Sequence, residues 1–259
     1  MILQKLSIAL TGAIASSLLL SFLGLPQHDT QRAALKKAHT QTMSSAVANE
    51  RRPPAPPNTP PPNGTRPGGG LSPDETPHSI LNDGLRALIP VENPVLTTAA
   101  YPTFLFYVPE GSESVQYGEF SLLLWPNEEI RHYRTRFRLS ESRGIVSVTI
   151  PEIPTYALAE NQTYRWYFQL ADDAEEIISP DFTLHGSVQR VALTPERAQQ
   201  IQAGSPEIWY DALSTTAEQL QTSPQDSQLQ AQWQRLLTFI DAEEIGGAPF
   251  AGAVLSLED

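Results

Sequence analysis

The chain has no cysteine among its 259 residues, and no lysine after Lys37. The first absence excludes disulfides, thiolate catalysis and cysteine-ligated metals, so stability must come from burial. The second excludes a Schiff-base lysine in any folded part beyond the N-terminal stretch. Basic charge is also scarce. A formal net charge of -12 and an isoelectric point near 4.8 are the wrong footprint for non-specific nucleic-acid binding. Histidine is sparse: His28, His39 and His78 lie early in the chain, leaving His132 and His185 isolated from each other. Zinc wants three or four ligands at local spacing, so no metal and no cofactor is expected.

Met1 to Lys5 followed by the apolar stretch Leu6–Leu25 reads as an export signal or signal anchor over residues 1–25. Ala46-Val-Ala48 is a small-x-small cleavage site, and Ser21 and Gly24 offer an earlier one. Arg32, Lys36 and Lys37 after the stretch disfavour export of that flank. Cleavage and anchoring therefore both stay open, and membrane contact is expected only through this segment if it is uncleaved. The expected location is periplasmic, extracellular, or anchored on the outer side of the cytoplasmic membrane.

Residues 26–78 are expected to be a disordered spacer. They carry Arg51-Arg-Pro-Pro-Ala-Pro-Pro-Asn58, Pro60-Pro-Pro62 and Gly68-Gly-Gly70, and proline and glycine at this density bury no core.

From residue 79 to 193 the pattern is one of short strands. Leu85–Pro90 is a weak one, and Thr103–Val108 is almost wholly apolar. In Tyr133–Leu139 one face carries Tyr133, Thr135, Phe137 and Leu139, and the other carries Arg134, Arg136 and Arg138. Ile145–Ile150 and Leu158–Leu170 form a pair around Pro151. Leu158, a polar turn, then Tyr164-x-Trp166 is the sequence form of a tyrosine corner, in which the tyrosine hydroxyl closes the turn on upstream backbone. About seven such strands read as a mainly β fold: an immunoglobulin-like or fibronectin III-like antiparallel β-sandwich.

Residues 194–245 switch to a helical period. Thr194-Pro-Glu and Ser205-Pro-Glu are helix starts, and Leu229, Trp233, Leu236, Leu237 and Ile240 recur at three- and four-residue spacing. The segment from Trp209 resembles one tetratricopeptide hairpin, which either caps the sandwich or offers a docking groove. Residues 246–259 are expected to be an ordered scrap or a tail.

These residues together resemble the cyanobacterial family filed as "domain of unknown function 928". The resemblance rests on Leu88-Ile-Pro90, Tyr101-Pro-Thr-Phe-Leu-Phe-Tyr-Val-Pro109, Arg134-Thr-Arg-Phe137, Gly144-Ile-Val-Ser-Val148, Tyr164-Arg-Trp-Tyr-Phe168, Gly186-Ser-Val-Gln-Arg-Val191 and Ile208-Trp-Tyr-Asp-Ala-Leu213. It implies a signal peptide, a proline-rich lead and a β-then-α layout. It implies no catalytic residue.

No acid–base constellation stands out. Ser179 and Ser187, near His185, lie in no nucleophile elbow, and Asp172, Asp173, Glu175 and Glu176 lack the glycine and final glutamate of a calcium loop. The informative side chains are arginines. Residues 79–259 hold ten against twenty-five carboxylates, yet Arg131, Arg134, Arg136, Arg138 and Arg143 fall within thirteen residues. A strand pointing Arg134, Arg136 and Arg138 to one face sets neighbours about 7 Å apart, and guanidinium forks match carboxylate and phosphate. Pairing with the chain's own carboxylates is the competing reading. The expectation is therefore an exported, non-catalytic binding module whose partner is an envelope protein or anionic glycan. The alternative is a cell-envelope hydrolase acting on an anionic polysaccharide.

Overall fold

Alternating burial along the strands assembles two sheets, seen in a computed structural model that describes residues 59–67, 77–174 and 180–257. The expected leader, the linker up to residue 58 and over 68–76 with Gly68-Gly-Gly70, and Glu175, Glu176 and Ser179 lie outside the described residues. One sheet has the order β1 (Arg86–Ala87), β3 (Thr103–Val108), β6 (Gly144–Thr149), β9 (Phe250–Ala253). The other runs β10 (Leu255–Ser256), β5 (Arg131–Arg138), β4 (Tyr117–Leu124), β7 (Thr163–Ala171), β8 (Phe182–Arg190), β2 (Leu96–Thr97). The protein is mainly β, with two sheets and a few C-terminal helices.

The sheets meet through aromatic rings. Phe104 and Phe106 project from β3 toward Phe120 of β4 and Trp166 and Phe168 of β7, all buried. Phe106 stacks on Phe168 at 4.0 Å between centroids, and meets Trp166 edge-on at 5.4 Å. Burying each such ring contributes about 1.5–3 kcal/mol, and well-oriented pairs add about 0.5–1.5 kcal/mol. Phe137, the last inward residue of β5, joins the same stack against Phe168.

The helices are α1 (Pro77–Gly84), α2 (Pro195–Gln202), α3 (Trp209–Thr222) and α4 (Ser227–Phe239). Local chemistry starts them. The Thr194 side chain accepts from the Arg197 N–H ahead of Pro195, and Asp226 accepts from the N–H groups of Gln228 and Leu229. The first turn of α3 is pinned to the sheets. Trp209 Nε1 donates to the Leu88 carbonyl at 2.8 Å. Tyr210 Oη accepts from Trp166 Nε1 at 2.8 Å and donates to the Ser187 carbonyl at 2.9 Å. The Asp211 carboxylate accepts from Thr97 Oγ1 at 2.6 Å, from Thr98 Oγ1, and from the Thr98 N–H at 3.0 Å. These bonds tie α3 to β2, β7 and β8.

Three sequence expectations need correction. First, the expected spacer does not run to residue 78. Residues 59–67 form a strap along the body: the Asn63 N–H donates to Val91 O, Gly64 bridges to His185, and Ala87 N–H donates to Thr65 O. Asn63 is buried, accepting from the Ser187 N–H at 2.9 Å and donating to Pro90 O at 2.8 Å. The helix α1 then spans the expected boundary, with Leu81 buried. Prolines in the strap deny it apolar periodicity, but they do not stop side chains and intervening amides from bonding. A Cβ at Gly64 would lie 2.4 Å from His185 Nε2, so any larger residue there has to displace the imidazole.

Second, the expected tail of 246–259 supplies an edge to each sheet: β9 lies parallel to β6, and β10 antiparallel to β5. Gly144, at φ +132°, lets the Pro249 carbonyl approach where a Cβ would clash, and that carbonyl accepts from Ile145 N–H at 2.8 Å. Third, the pairing is not wholly antiparallel, because β2–β8 and β6–β9 are parallel. Both involve an edge strand whose preceding connection crosses the body.

A candidate binding face on the six-stranded sheet

Strand alternation sets the outer face of β5. Its inward residues Tyr133, Thr135 and Phe137 are buried, whereas Arg134 and Arg136 are half-buried and Arg138 is exposed. The register with β4 puts Arg138 opposite Tyr117, Arg136 opposite Glu119 and Arg134 opposite Ser121. Glu119 is thereby the carboxylate beneath two guanidiniums. Arg134 Nη2 bonds its Oε2, and Arg136 Nε lies 3.4 Å from the same oxygen. Arg138 Nη2 donates to Gln116 Oε1 at 2.7 Å. So the structure does bring Arg134, Arg136 and Arg138 to one face, together with an internal acid for two of them. Arg143 does not belong to that face. It is buried and donates to the Ser112 and Val115 carbonyls at 3.2 and 3.0 Å, holding the turn before β4. Its burial lowers its pKa.

Sequence reasoning missed the continuation of this face across β7 and β8. Ser121 of β4 lies opposite Tyr167 of β7, which lies opposite His185 of β8. The Tyr167 hydroxyl donates to Glu128 Oε2 at 2.7 Å, and Arg165 lies 3.6 Å from the other Glu128 oxygen while covering the Tyr167 ring at 5.3 Å. His185 Nδ1 accepts from the Gly64 N–H at 3.2 Å, with Arg165 Nη2 at 3.3 Å. Two donors on one ring nitrogen require it to be unprotonated, which puts the proton of the neutral ring on Nε2. Burial pushes the Tyr167 pKa up to about 12, helped by the hydrogen bond to Glu128. Burial, then Arg165, lowers that of His185. Alternation along Leu158–Leu170 puts Arg165 and Tyr167 outward, but their grouping with Glu128 and His185 depends on the turn before β5 and on strand order.

The remaining sequence-singled residues have structural surroundings. The Tyr164 hydroxyl accepts from the Ala159 N–H at 3.0 Å, and Leu158 and Trp166 are fully buried beside it. His132 bonds the Tyr156 carbonyl at 3.0 Å. Ser187, buried, donates its hydroxyl to Asn93 Oδ1. Among the described residues no three histidine, aspartate or glutamate side chains gather to hold a metal, and no helix is long and apolar enough to cross a membrane. Chemically, the face offers forked cationic donors flanked by tyrosine and amide groups, which suits binding of oxyanions.

A family model described as Domain of Unknown Function (DUF928) matches residues 63–250. The match begins inside the strap, and takes in both sheets up to the first residue of β9 together with α2, α3 and α4. No curated protein and no solved structure matches the chain.

Proposed function

Because the chain belongs to the family described as Domain of Unknown Function (DUF928), we propose a role from its geometry: an exported, non-catalytic module that binds an anionic glycan of the cell envelope. The observation that carries this is the outward row of Arg134, Arg136 and Arg138 on a chain of net charge -12. Arg136 is 38% exposed and bonds Glu119 through Nε, which leaves its terminal N–H groups for a solvent-side oxyanion. We assign the two-sheet body to the immunoglobulin-like and fibronectin III-like class. That assignment is supported by the face-to-face aromatic core and by Tyr164 closing its turn. Export is read from the apolar stretch Leu6–Leu25. Ser187 gives a hydrolase acting on the same polymer no support, since it is buried and bonded to Asn93.

The test is retention on immobilised polygalacturonate, with neutral dextran as control. The protein should be retained on the acidic polymer alone, and retention should fall steeply with salt as the Debye length shrinks to about 8 Å. Changing Arg134, Arg136 and Arg138 together to glutamine should abolish retention. It should also cost about 3–5 kcal/mol of stability, because the buried Glu119 carboxylate loses both guanidiniums. Arg138→Gln alone, whose guanidinium bonds Gln116, should weaken retention and leave stability unchanged. Retention unchanged in the triple variant, or unaffected by Arg138→Gln, would show that the arginines serve only internal pairing and would overturn the reading.

A further inference from the structure

A second arginine pair lies away from β5. A cleft of about 450 Å³ opens where the strap, the loop after β1 and the end of α4 come together, lined among others by Arg66, Arg86, Val91, Glu92, Phe239 and Asp241. Arg86 is buried, at 6% exposure. Its Nη1 donates to Glu244 Oε1 at 3.0 Å and its Nη2 to the Ile240 carbonyl, while its Nε is buried with no partner. Arg66 lies 4.0 Å from the same Glu244 oxygen. An orphaned buried donor is rare in native proteins and calls for an explanation such as an ion or ligand.

The charge balance at Arg86 points the same way. Burial, followed by the neighbouring Arg66, lowers its pKa despite the opposing pull of Glu244 and Asp241. Burial is therefore the main cost to this guanidinium, and its Nε still lacks an acceptor. Its resident carboxylate is poorly anchored: the Glu244 side chain is 63% exposed, and both arginines address the same Oε1. A carboxylate entering from solvent can take that position with both oxygens, one for each guanidinium. Val91 and Phe239, 55% and 57% exposed, line the same cleft and give an apolar body something to lie on. Asp241 and Glu92 also line it, and two fixed negative charges disfavour a dianion more than a monoanion.

We propose that this cleft binds a small monocarboxylate with an apolar body, its carboxylate displacing Glu244 between Arg66 and Arg86. Strap and body together make the site, since Arg66 comes from the strap and Arg86 from β1. No residue is shared with the arginine face of β5, so failure here leaves the glycan reading standing.

The experiment is a calorimetric and NMR titration of the full chain with benzoate, acetate and inorganic phosphate. Benzoate should bind saturably, acetate more weakly, and phosphate should not compete. Glu244→Gln should tighten benzoate several-fold, because removing the internal competitor raises the fraction of competent sites. Arg66→Gln should weaken benzoate about tenfold, as loss of one charge-assisted hydrogen bond does, and should leave melting unchanged because Arg66 is half-exposed. Phe239→Ala should weaken benzoate and leave acetate alone. Absence of saturable benzoate binding, weaker binding in Glu244→Gln, or unaltered binding in Arg66→Gln would each overturn the proposal.

Discussion

Two neighbours on β7, Trp166 and Tyr167, face opposite ways and meet opposite conditions. On the inner side the Trp166 indole donates to Tyr210, which donates to the Ser187 carbonyl, and all three residues are buried. That chain is closed, neutral and held in place by α3. On the outer side Tyr167 donates to Glu128 among Arg165 and His185, half-exposed and charged. A hydroxyl on the inner side is a structural link whose loss strands buried partners. One on the outer side can exchange its partner for water, and that is where binding chemistry is tolerated.

The sharpest way to break this comparison is Tyr210→Phe. It leaves the Trp166 N–H and the Ser187 carbonyl unpaired in the core, each at about 1–3 kcal/mol. A loss of about 2–6 kcal/mol in urea denaturation is therefore expected. A loss below about 1 kcal/mol would show that water reaches both groups and that α3 is a loose cover.

The local half of this arrangement was legible in the sequence, and the long-range half was not. Alternation along β5 and β7 separates Phe137 and Trp166 from Arg136 and Tyr167 without any structure. Thr194 announces its helix because capping acts within three residues. By contrast, Asn63 and Ser187 are bonded across 124 positions, and nothing in a Pro-Pro-Asn-Gly run signals a distant strand. The β9 and β10 pairings are likewise backbone bonds between short segments with no apolar pattern of their own. Glu119 under the arginines was hidden for a related reason, since it depends on the register of β4 against β5. The Arg66–Arg86 cleft needs the strap in place before it exists at all.

The strap gives the next largest effect. A chain starting at Ser79 loses the partners of the Ser187 N–H, the Pro90 carbonyl and the Ala87 N–H. Some of these groups will be rehydrated, so a cost of about 2–3 kcal/mol is expected relative to a chain starting at Thr59. Equal denaturation midpoints would show that residues 59–67 are a dispensable lead.

A smaller contrast sharpens the inner–outer distinction on tyrosines alone. Tyr164→Phe removes the acceptor for the Ala159 N–H and should cost about 1–3 kcal/mol. Tyr167→Phe frees Glu128, which is 33% exposed on its side chain, and should cost less in the same denaturation series. Above pH 10 the gap between the two variants should widen, because Tyr164→Phe keeps Tyr167 and loses its contribution while Tyr167→Phe has none to lose. The Tyr167 pKa is raised to about 12, so its contribution is whole below the unfolded value near 10 and is lost as pH climbs through 12. The Tyr167→Phe variant should show no such loss.

The smallest expected effect lies where the outer face touches the strap. His185 faces the Gly64 N–H from the strap, Arg165 and Tyr167 from β7, and Glu128 from the turn before β5. Its pKa is lowered, by burial first and by Arg165 second, against an opposing pull from Glu128. The unfolded chain therefore takes up this proton before the folded one does. The contribution of the neutral ring is whole above about pH 6.5 and declines as pH falls from there toward the folded value. Protonation puts a hydrogen on Nδ1, where the Gly64 N–H and the Arg165 guanidinium now point. The strap should then loosen locally rather than detach, because the Gly64 N–H also donates to the His185 carbonyl at 2.9 Å. Hydrogen exchange tests this directly: the protection of the Gly64 amide, taken relative to that of Phe168 in the core, should fall between pH 7.5 and pH 5. In His185→Gln the ratio should stay flat. A ratio that is flat in the unaltered chain as well would mean that the carbonyl alone holds the strap, and that the imidazole only packs beneath it.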